Sequence, residues 1–280
     1  MKLTLLKTRW LLFSIFLFFN SADSLAKDFE ISADRLKYHT RILGADSLAG
    51  RAPGTDGIAK AADYISSRLR RFGLVPAGAA GTFSQPIPMH GSRTLEGSEL
   101  ILYGTDSVRA LALGDDYLLY KSGAQTYIPN PVPLVFVGYG IIAPEFDYND
   151  YQDMNVEGKI VVFLDGEPVS TDPGWFGGTE PTIYSYPESK QRLAISRGAI
   201  GSILINAPGS EQRTIWQRLK YEFHFEDVTL AYRVTGHLSL LLHDRLSKVL
   251  FDQAPYAFSD IRSLIESNRM QAFGLNRELS

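Results

Sequence analysis

The first strong pattern is helical. Residues Ala33 to Leu43, "ADRLKYHTRIL", predict a helix with Ser32 as N-cap and Gly44 as terminator. A loop rich in Gly and Pro, "SLAGRAPGTDG", follows. Then Ile58, Ala61, Ala62, Ile65, Leu69 and Phe72 recur at helical spacing, with Thr55 or Asp56 to cap the start and Gly73 to end it. Lys60, Arg68, Arg70 and Arg71 take the remaining face.

From about Leu95 the period changes. "SELILYG", "VRALALG", "DDYLLYK", "VPLVFVGYG" and "KIVVFLD" are short β-branched or aromatic runs broken by Gly, Asp, Asn and Pro, which predicts strands. An acidic, aromatic loop, "PEFDYNDYQDMNVEG", lies between the last two. "ESKQRLAISRG" reads as a helix with Leu193, Ala194 and Ile195 inward and Gly198 as stop, and the strand "AIGSILINAPG" follows at once, giving a βαβ unit. "DVTLAYRV" reads as a strand, "LSLLLHDRLSKVLFDQA" as an amphipathic helix and "SDIRSLIESNRM" as one more. The class is mixed α/β. There is no internal repeat, heptad run or low-complexity tract.

Bulk composition agrees with a folded chain: 280 residues, 45% hydrophobic and 21% charged, with a net charge of −3. No basic block marks a nucleic-acid binder. Lys2, Lys7 and Arg9, the apolar run "WLLFSIFLFF", and Ser24 and Ala26 before a cut together predict a secretory signal peptide over residues 1–26. The apolar run is half the length of about 20 residues that a spanning helix needs. The product is expected to be exported, to the periplasm or the medium, and free of the membrane after cleavage. There is no cysteine, so disulfides, thiolate metal sites and a cysteine nucleophile are excluded.

Candidate chemistry is sparse. Gly138-Tyr139-Gly140-Ile141-Ile142-Ala143 fits G-x-G-x-x-A, but Pro144 and a turn-rich acidic run stand where the phosphate-binding helix should start. Those glycines predict a tight turn or a close backbone approach. "DMNVEGKIVVFL" places Asp153, Asn155, Glu157 and Gly158 as in a calcium loop, yet its twelfth residue is Leu164 and a strand begins inside it. The histidines are His39, His90, His224, His237 and His243. Only His224-Phe225-Glu226 sets a carboxylate two residues away, on one face if "YEFHFEDVTLAY" is a strand, and a catalytic zinc needs three protein ligands. G-x-S-x-G and H-E-x-x-H are absent, and S-x-x-K occurs only as Ser24 to Lys27, astride the expected cut after Ala26. No catalytic, cofactor-binding or metal residue is assigned. Dispersed carboxylates leave an unrelated hydrolase as the least favoured reading.

Two segments carry a resemblance. "SLAGRAPGTDGIAKAADYISSRLRRFGLVPAG", with Gly50, Arg51, Gly54 and Thr55 before a helix that ends in Phe72-Gly73-Leu74, Pro76 and Gly78, resembles the N-terminal region of secreted co-catalytic zinc aminopeptidases. "VPLVFVGYGIIAPEFDYNDYQDMNVEGKIVVFLDGEP", with Lys190, Ala194, Gly198 and Ala199 further on, resembles the protease-associated (PA) domain inserted in many of them. The resemblance covers about residues 33–250. It implies a signal peptide (1–26), an N-terminal helical segment of a peptidase-like domain (27–94), a PA domain with flanking strands (95–250), and a C-terminal helix and tail (251–280) leading to an absent catalytic region.

Family members hold two zinc ions with His-x-Asp, a bridging Asp, Glu-Glu, and a further Asp and His, all after the PA insertion. His-x-Asp and Glu-Glu do not occur in this sequence. The resemblance therefore implies an aminopeptidase lineage whose zinc belongs to the complete enzyme, an isolated chain without activity, and as partner a peptide or protein substrate or the missing catalytic segment. The alternative is a non-catalytic PA-domain protein that binds peptides or a protein partner. The stripe from Ile58 to Phe72 is expected to lack cover.

Overall fold

The computed structural model describes residues 31–92, 97–119, 127–208, 215–224, 227–231, 237–267 and 270–280. The signal-peptide reading falls outside them. Among the described residues no helix is long and apolar enough to cross a membrane. The chain divides into two compact units, Met1–Pro86 and Ile87–Ser280.

In the first unit, α1 (Ala33–Leu43) starts at Ser32, whose Oγ accepts from the Arg35 N–H at 3.4 Å, and Gly44 closes it. A 3₁₀ turn over Asp46–Leu48 leads to α2 (Asp56–Arg71). Thr55 occupies the N-cap position, but its hydroxyl turns back to the Ala52 carbonyl at 2.7 Å. A Cβ added at Gly57 would lie 1.8 Å from the Leu48 carbonyl oxygen, so only glycine lets the loop lie on the start of α2. The helix ends in a Schellman cap. Gly73 takes φ +77°, its N–H reaches the Arg70 carbonyl, and the Leu74 N–H reaches that of Leu69. Arg68 ties the two helices together, its guanidinium 5.5 Å from the Tyr38 ring centre and 5.0 Å from that of Tyr64. Along the stripe Ala61 is buried, whereas Ile58, Ile65 and Phe72 stand 41%, 46% and 67% exposed.

The second unit is built on an eight-stranded mixed sheet in the order β3-β2-β12-β5-β8-β9-β11-β4. In chain order the strands are β1 (Met89–Ser92), β2 (Leu100–Tyr103), β3 (Val108–Leu111), β4 (Tyr117–Leu119), β5 (Val132–Phe136), β6 (Ile142–Ala143), β7 (Tyr148–Asn149), β8 (Ile160–Leu164), β9 (Gly201–Ile205), β10 (Asp227–Leu230), β11 (Leu238–Leu242) and β12 (Phe273–Leu279). The helices are α3 (Pro187–Ser196), α4 (Ile215–Glu222), α5 (Ser247–Phe251) and α6 (Ile261–Glu266). β5, β8, β9 and β11 run parallel at the centre, in the register Leu134↔Ile160, Val161↔Ser202 and Leu240↔Ile203. β1 with β10, and β6 with β7, form separate two-stranded ribbons.

The central strands are apolar at nearly every position because both sheet faces are covered. One face packs Phe136, Val162, Ile203 and Leu240 against Leu250, Phe251 and Ile261 from α5 and α6. The other packs Val135, Val161, Phe163 and Leu204 against Ala194 of α3 and against Tyr151 and Val156. The mixed α/β class and the βαβ unit β8-α3-β9 agree with the sequence reading.

Three segments differ from it. Leu238–Leu242, expected as the start of a helix, is the buried strand β11, and the helix α5 is confined to Ser247–Phe251. A run of unbroken apolar residues has no period to choose between helix and strand, and pairing with β9 on one side and β4 on the other decides it. Tyr221 and Glu222, which open the run "YEFHFEDVTLAY" read as extended, are the last residues of α4. The tail holds β12, whose Phe273, Leu275, Arg277 and Leu279 alternate inward between β2 and β5.

Candidate ligand cleft

The parallel strands β5, β8 and β9 end side by side, and the chain segments that leave them frame a cleft of about 1010 Å³. Tyr139 follows β5, Pro168 and Val169 follow β8, and Ala207 and Pro208 follow β9. The carboxyl ends of parallel strands are where open α/β sheets generally receive ligands, because the connections diverge there and leave a crevice. The β6–β7 ribbon adds Asp147, Tyr148, Asn149 and Asp150, and Trp175 adds an aromatic edge. Arg262, Ile265 and Glu266 of α6, with Met270 and Gln271, close the opposite side.

The glycines of the G-x-G-x-x-A run make this corner possible. Gly138 and Gly140 take φ +57° and +71°, and a Cβ on Gly138 would lie 2.6 Å from Oδ1 of Asp150. On Gly140 it would meet Phe163 Cβ at 3.1 Å. After Ala143 comes only a 3₁₀ turn, Pro144–Phe146, so no helix presents its N-terminus to an anion. The turn and close approach expected from the sequence are what the glycines serve.

Asp150 is the polar centre of the cleft floor. Its Oδ2 accepts from the Ile141 N–H at 3.0 Å and its Oδ1 from the Tyr148 hydroxyl at 2.8 Å. Burial pushes its carboxyl up to about 7, while those two hydrogen bonds and nearby Lys190 pull the other way. Tyr148 is raised in turn by burial and by the Asp150 charge, and so stays protonated as a donor. Behind this floor Lys190 of α3 is buried, and its Nζ donates to the carbonyls of Leu164, at 2.7 Å, and Gly166. Burial lowers it to about 8, with Asp165, Asp150 and Glu167 opposing. Lys190 thus fixes the turn after β8, as Asp150 fixes the turn after β5.

The aromatic side is held as firmly. The Phe146 and Phe176 ring centres lie 4.5 Å apart, Trp175 meets Phe176 at 5.2 Å, and Tyr148 meets Trp175 edge-on at 6.3 Å. Glu167 accepts from the Thr182 N–H at 2.6 Å and from its hydroxyl, which pins the loop carrying Trp175. The Tyr184 hydroxyl donates to Oε1 of Glu145 at 2.6 Å and holds that carboxyl below its ordinary range.

The histidines are dispersed. His39 faces the Tyr64 hydroxyl, His90 is on β1, His224 is in the turn after α4, and His237 precedes β11. His243 accepts from the Arg245 N–H at 3.2 Å and packs edge-on against Trp216. The strand expected to align His224 with Glu226 is therefore a helix and turn at His224, and Glu226 lies outside the described residues. Among the described residues no three His, Cys, Asp or Glu come together to hold a metal, so this donor set does not fit zinc. The calcium-like run is a polar turn. Oδ1 of Asn155 accepts from the Glu157 N–H at 2.9 Å, and Lys159 donates to the Asn155 carbonyl.

The cleft itself was hidden from the sequence, since Tyr139 and Glu266 stand far apart along the second unit. The acidic, aromatic loop "PEFDYNDYQDMNVEG", which supplies Asp147, Tyr148, Asn149, Asp150 and Gln152, was its visible sign.

No family model and no curated protein matches this chain. Among solved structures it is similar to an aminopeptidase from Aneurinibacillus sp. strain AM-1, at 15% identity and TM-score 0.37, over 89% of this chain and 45% of that one. It is also similar to a zinc aminopeptidase from Bacillus subtilis, at 14% identity and TM-score 0.28, over 87% of this chain and 42% of that one. The chain spans less than half the length of either structure.

Proposed function

We propose that this chain supplies an exported zinc aminopeptidase with its leading helices (27–94) and its PA domain (95–250), and that it binds and admits peptide rather than cutting it. The observation that carries the reading is that the residues of both resembling segments do interlocking work. Gly57 admits the Leu48 carbonyl, and Gly73-Leu74 forms the helix cap. Lys190 holds two carbonyls after β8, Ala194 is fully buried under the sheet, and Gly198 takes φ +86° where an added Cβ would crowd Glu157 at 3.1 Å. These are demanding positions, and both segments meet them in the family's order. The zinc ions of such an enzyme would be held by residues that the resemblance places after the PA domain. No step of the hydrolysis is assigned to the residues described.

A free-standing PA-domain protein that binds peptides is the second reading. The observation favouring it is that the whole cleft lies within the second unit.

The coding DNA beyond the Ser280 codon separates them. The expected result is a segment, in any frame, with His-x-Asp, then Glu-Glu, then later Asp and His, whose restored product cleaves N-terminal residues from peptides in a zinc-dependent way. A stop codon followed by unrelated sequence overturns the aminopeptidase reading and leaves the binding protein.

A further inference from the structure

The chemistry of the cleft selects a charge type. Tyr148 and Trp175 line the cleft half-buried, with their ring planes 75° apart, and aromatic faces attract cations. Around them stand the carboxylates of Asp147 and Glu266 against one guanidinium, Arg262, while the buried Asp150 carboxyl spends its oxygens on the Ile141 N–H and the Tyr148 hydroxyl. That guanidinium already pairs with Glu266 at 2.9 Å. Asp147 is exposed at the cleft edge, in a left-handed conformation of φ +51° that turns its backbone into the ribbon. Lys190 lies behind Tyr139 and spends its donors on backbone carbonyls.

An anionic ligand would meet this surplus of negative charge without a free cation among the cleft residues. A wholly apolar one would strip water from the carboxylates and from the amides of Asn149 and Gln271 without replacing it. A ligand bearing one positive charge on an otherwise amide-rich chain satisfies both sets of groups.

We infer that the cleft is a binding site for a primary ammonium group carried by a peptide, with Asp147 as counter-charge and the Tyr148 and Trp175 rings as its walls. The ammonium is either the α-amino end of the peptide or a lysine side chain. That the carrier is a peptide rests on the function proposed above; the ammonium preference rests on the cleft alone.

Calorimetric titration of the exported chain at low ionic strength tests it with three probes. They are leucyl-alanyl-alanine amide, its N-acetyl form, and N-acetyl-alanyl-lysyl-alanine amide. At least one ammonium-bearing probe should bind about tenfold more tightly than the acetylated leucyl peptide, and the one that does identifies chain end or lysine as the source. Asp147→Asn, which keeps shape and tolerates the left-handed conformation, should erase most of that preference without changing the melting temperature. Trp175→Leu should weaken whichever charged probe is preferred.

Equal affinity for the neutral probe, no heat with any of the three, or tighter binding of a neutral oligosaccharide such as chitotetraose would each overturn the assignment. If downstream DNA encodes the zinc ligands and the ammonium preference is absent, the cleft assignment alone fails. If the preference is present and the DNA ends in a stop, the aminopeptidase reading alone fails.

Discussion

The carboxylate of Asp150 lies so close to the backbone of Gly138 that a single added carbon there would stand 2.6 Å from Oδ1. This contact couples the turn after β5 to the β6–β7 ribbon, and through it to the cleft floor. Gly138→Ala adds both a clash and the cost of a left-handed alanine, about 1–2 kcal/mol for the conformation alone. Gly158, at φ +68° with nothing within 4 Å, carries only the conformational cost. Urea denaturation should find Gly138→Ala less stable than Gly158→Ala by at least about 1 kcal/mol.

Asp150 also sets a pH dependence. Its folded carboxyl titrates near 7, above the ordinary carboxylate value. Between those two values the native state keeps a proton that the unfolded state has released, so stability falls as pH rises and levels off above about 7. Each unit of the difference is worth about 1.4 kcal/mol. Asp150→Asn cannot ionise and should flatten this limb. Urea midpoints measured from pH 4 to 8 check it, and parallel profiles for the two proteins would refute the assignment.

Lys190 gives a limb of the opposite sign. With its folded value lowered to about 8, the unfolded state binds the extra proton at higher pH, so stability rises with pH from about 8 towards the ordinary lysine value. Lys190→Met removes that rise. It also leaves the buried Leu164 carbonyl and the half-buried Gly166 carbonyl without their donor, at about 1–3 kcal/mol for the first and less for the second. A net loss of about 2–4 kcal/mol at pH 7 is expected, because two orphaned carbonyls outweigh the relief of one desolvated charge.

Arg277 is buried on β12 and bonds Asp252 at 3.0 Å, the Asp252 carbonyl at 3.1 Å and Ser107 Oγ at 3.3 Å. Asp252 is largely exposed. Arg277→Ala should cost about 2–4 kcal/mol through lost packing and orphaned partners. Asp252→Ala should cost about 1 kcal/mol or less, since water can replace one exposed carboxylate. Thermal melts of the two variants should rank them in that order.

The parts legible in the sequence were those with a distinct period or a turn residue of fixed geometry. β5, β8 and β9 announced themselves as short β-branched runs, and Gly44 and Gly73 marked helix ends. β11 did not, because Leu238–Leu242 is apolar throughout and only its neighbours make it a strand. In β12 the inward Arg277 interrupts the apolar alternation at the one place where a carboxylate and a serine wait for it. The cleft was less legible still. Asp150 reads as one acid among many in a polar loop, and nothing in its neighbours tells that Tyr148 and the Ile141 N–H enclose it. Arg262 and Glu266 look like an ordinary exposed helical pair, since their relation to Trp175 exists only after β8 and β9 have paired.

The position of β12 has a consequence for assembly during synthesis. It lies between β2 and β5, pairing Glu278 with Tyr103, 175 positions earlier in the chain, and with Pro133 on the other side. Until residues 273–279 have left the ribosome, the β2–β3 hairpin has no strand to join and β5 presents an unpaired edge. The loop closed by this pairing is long, so the final docking is a slow step, and the nascent chain depends meanwhile on protection of that open edge.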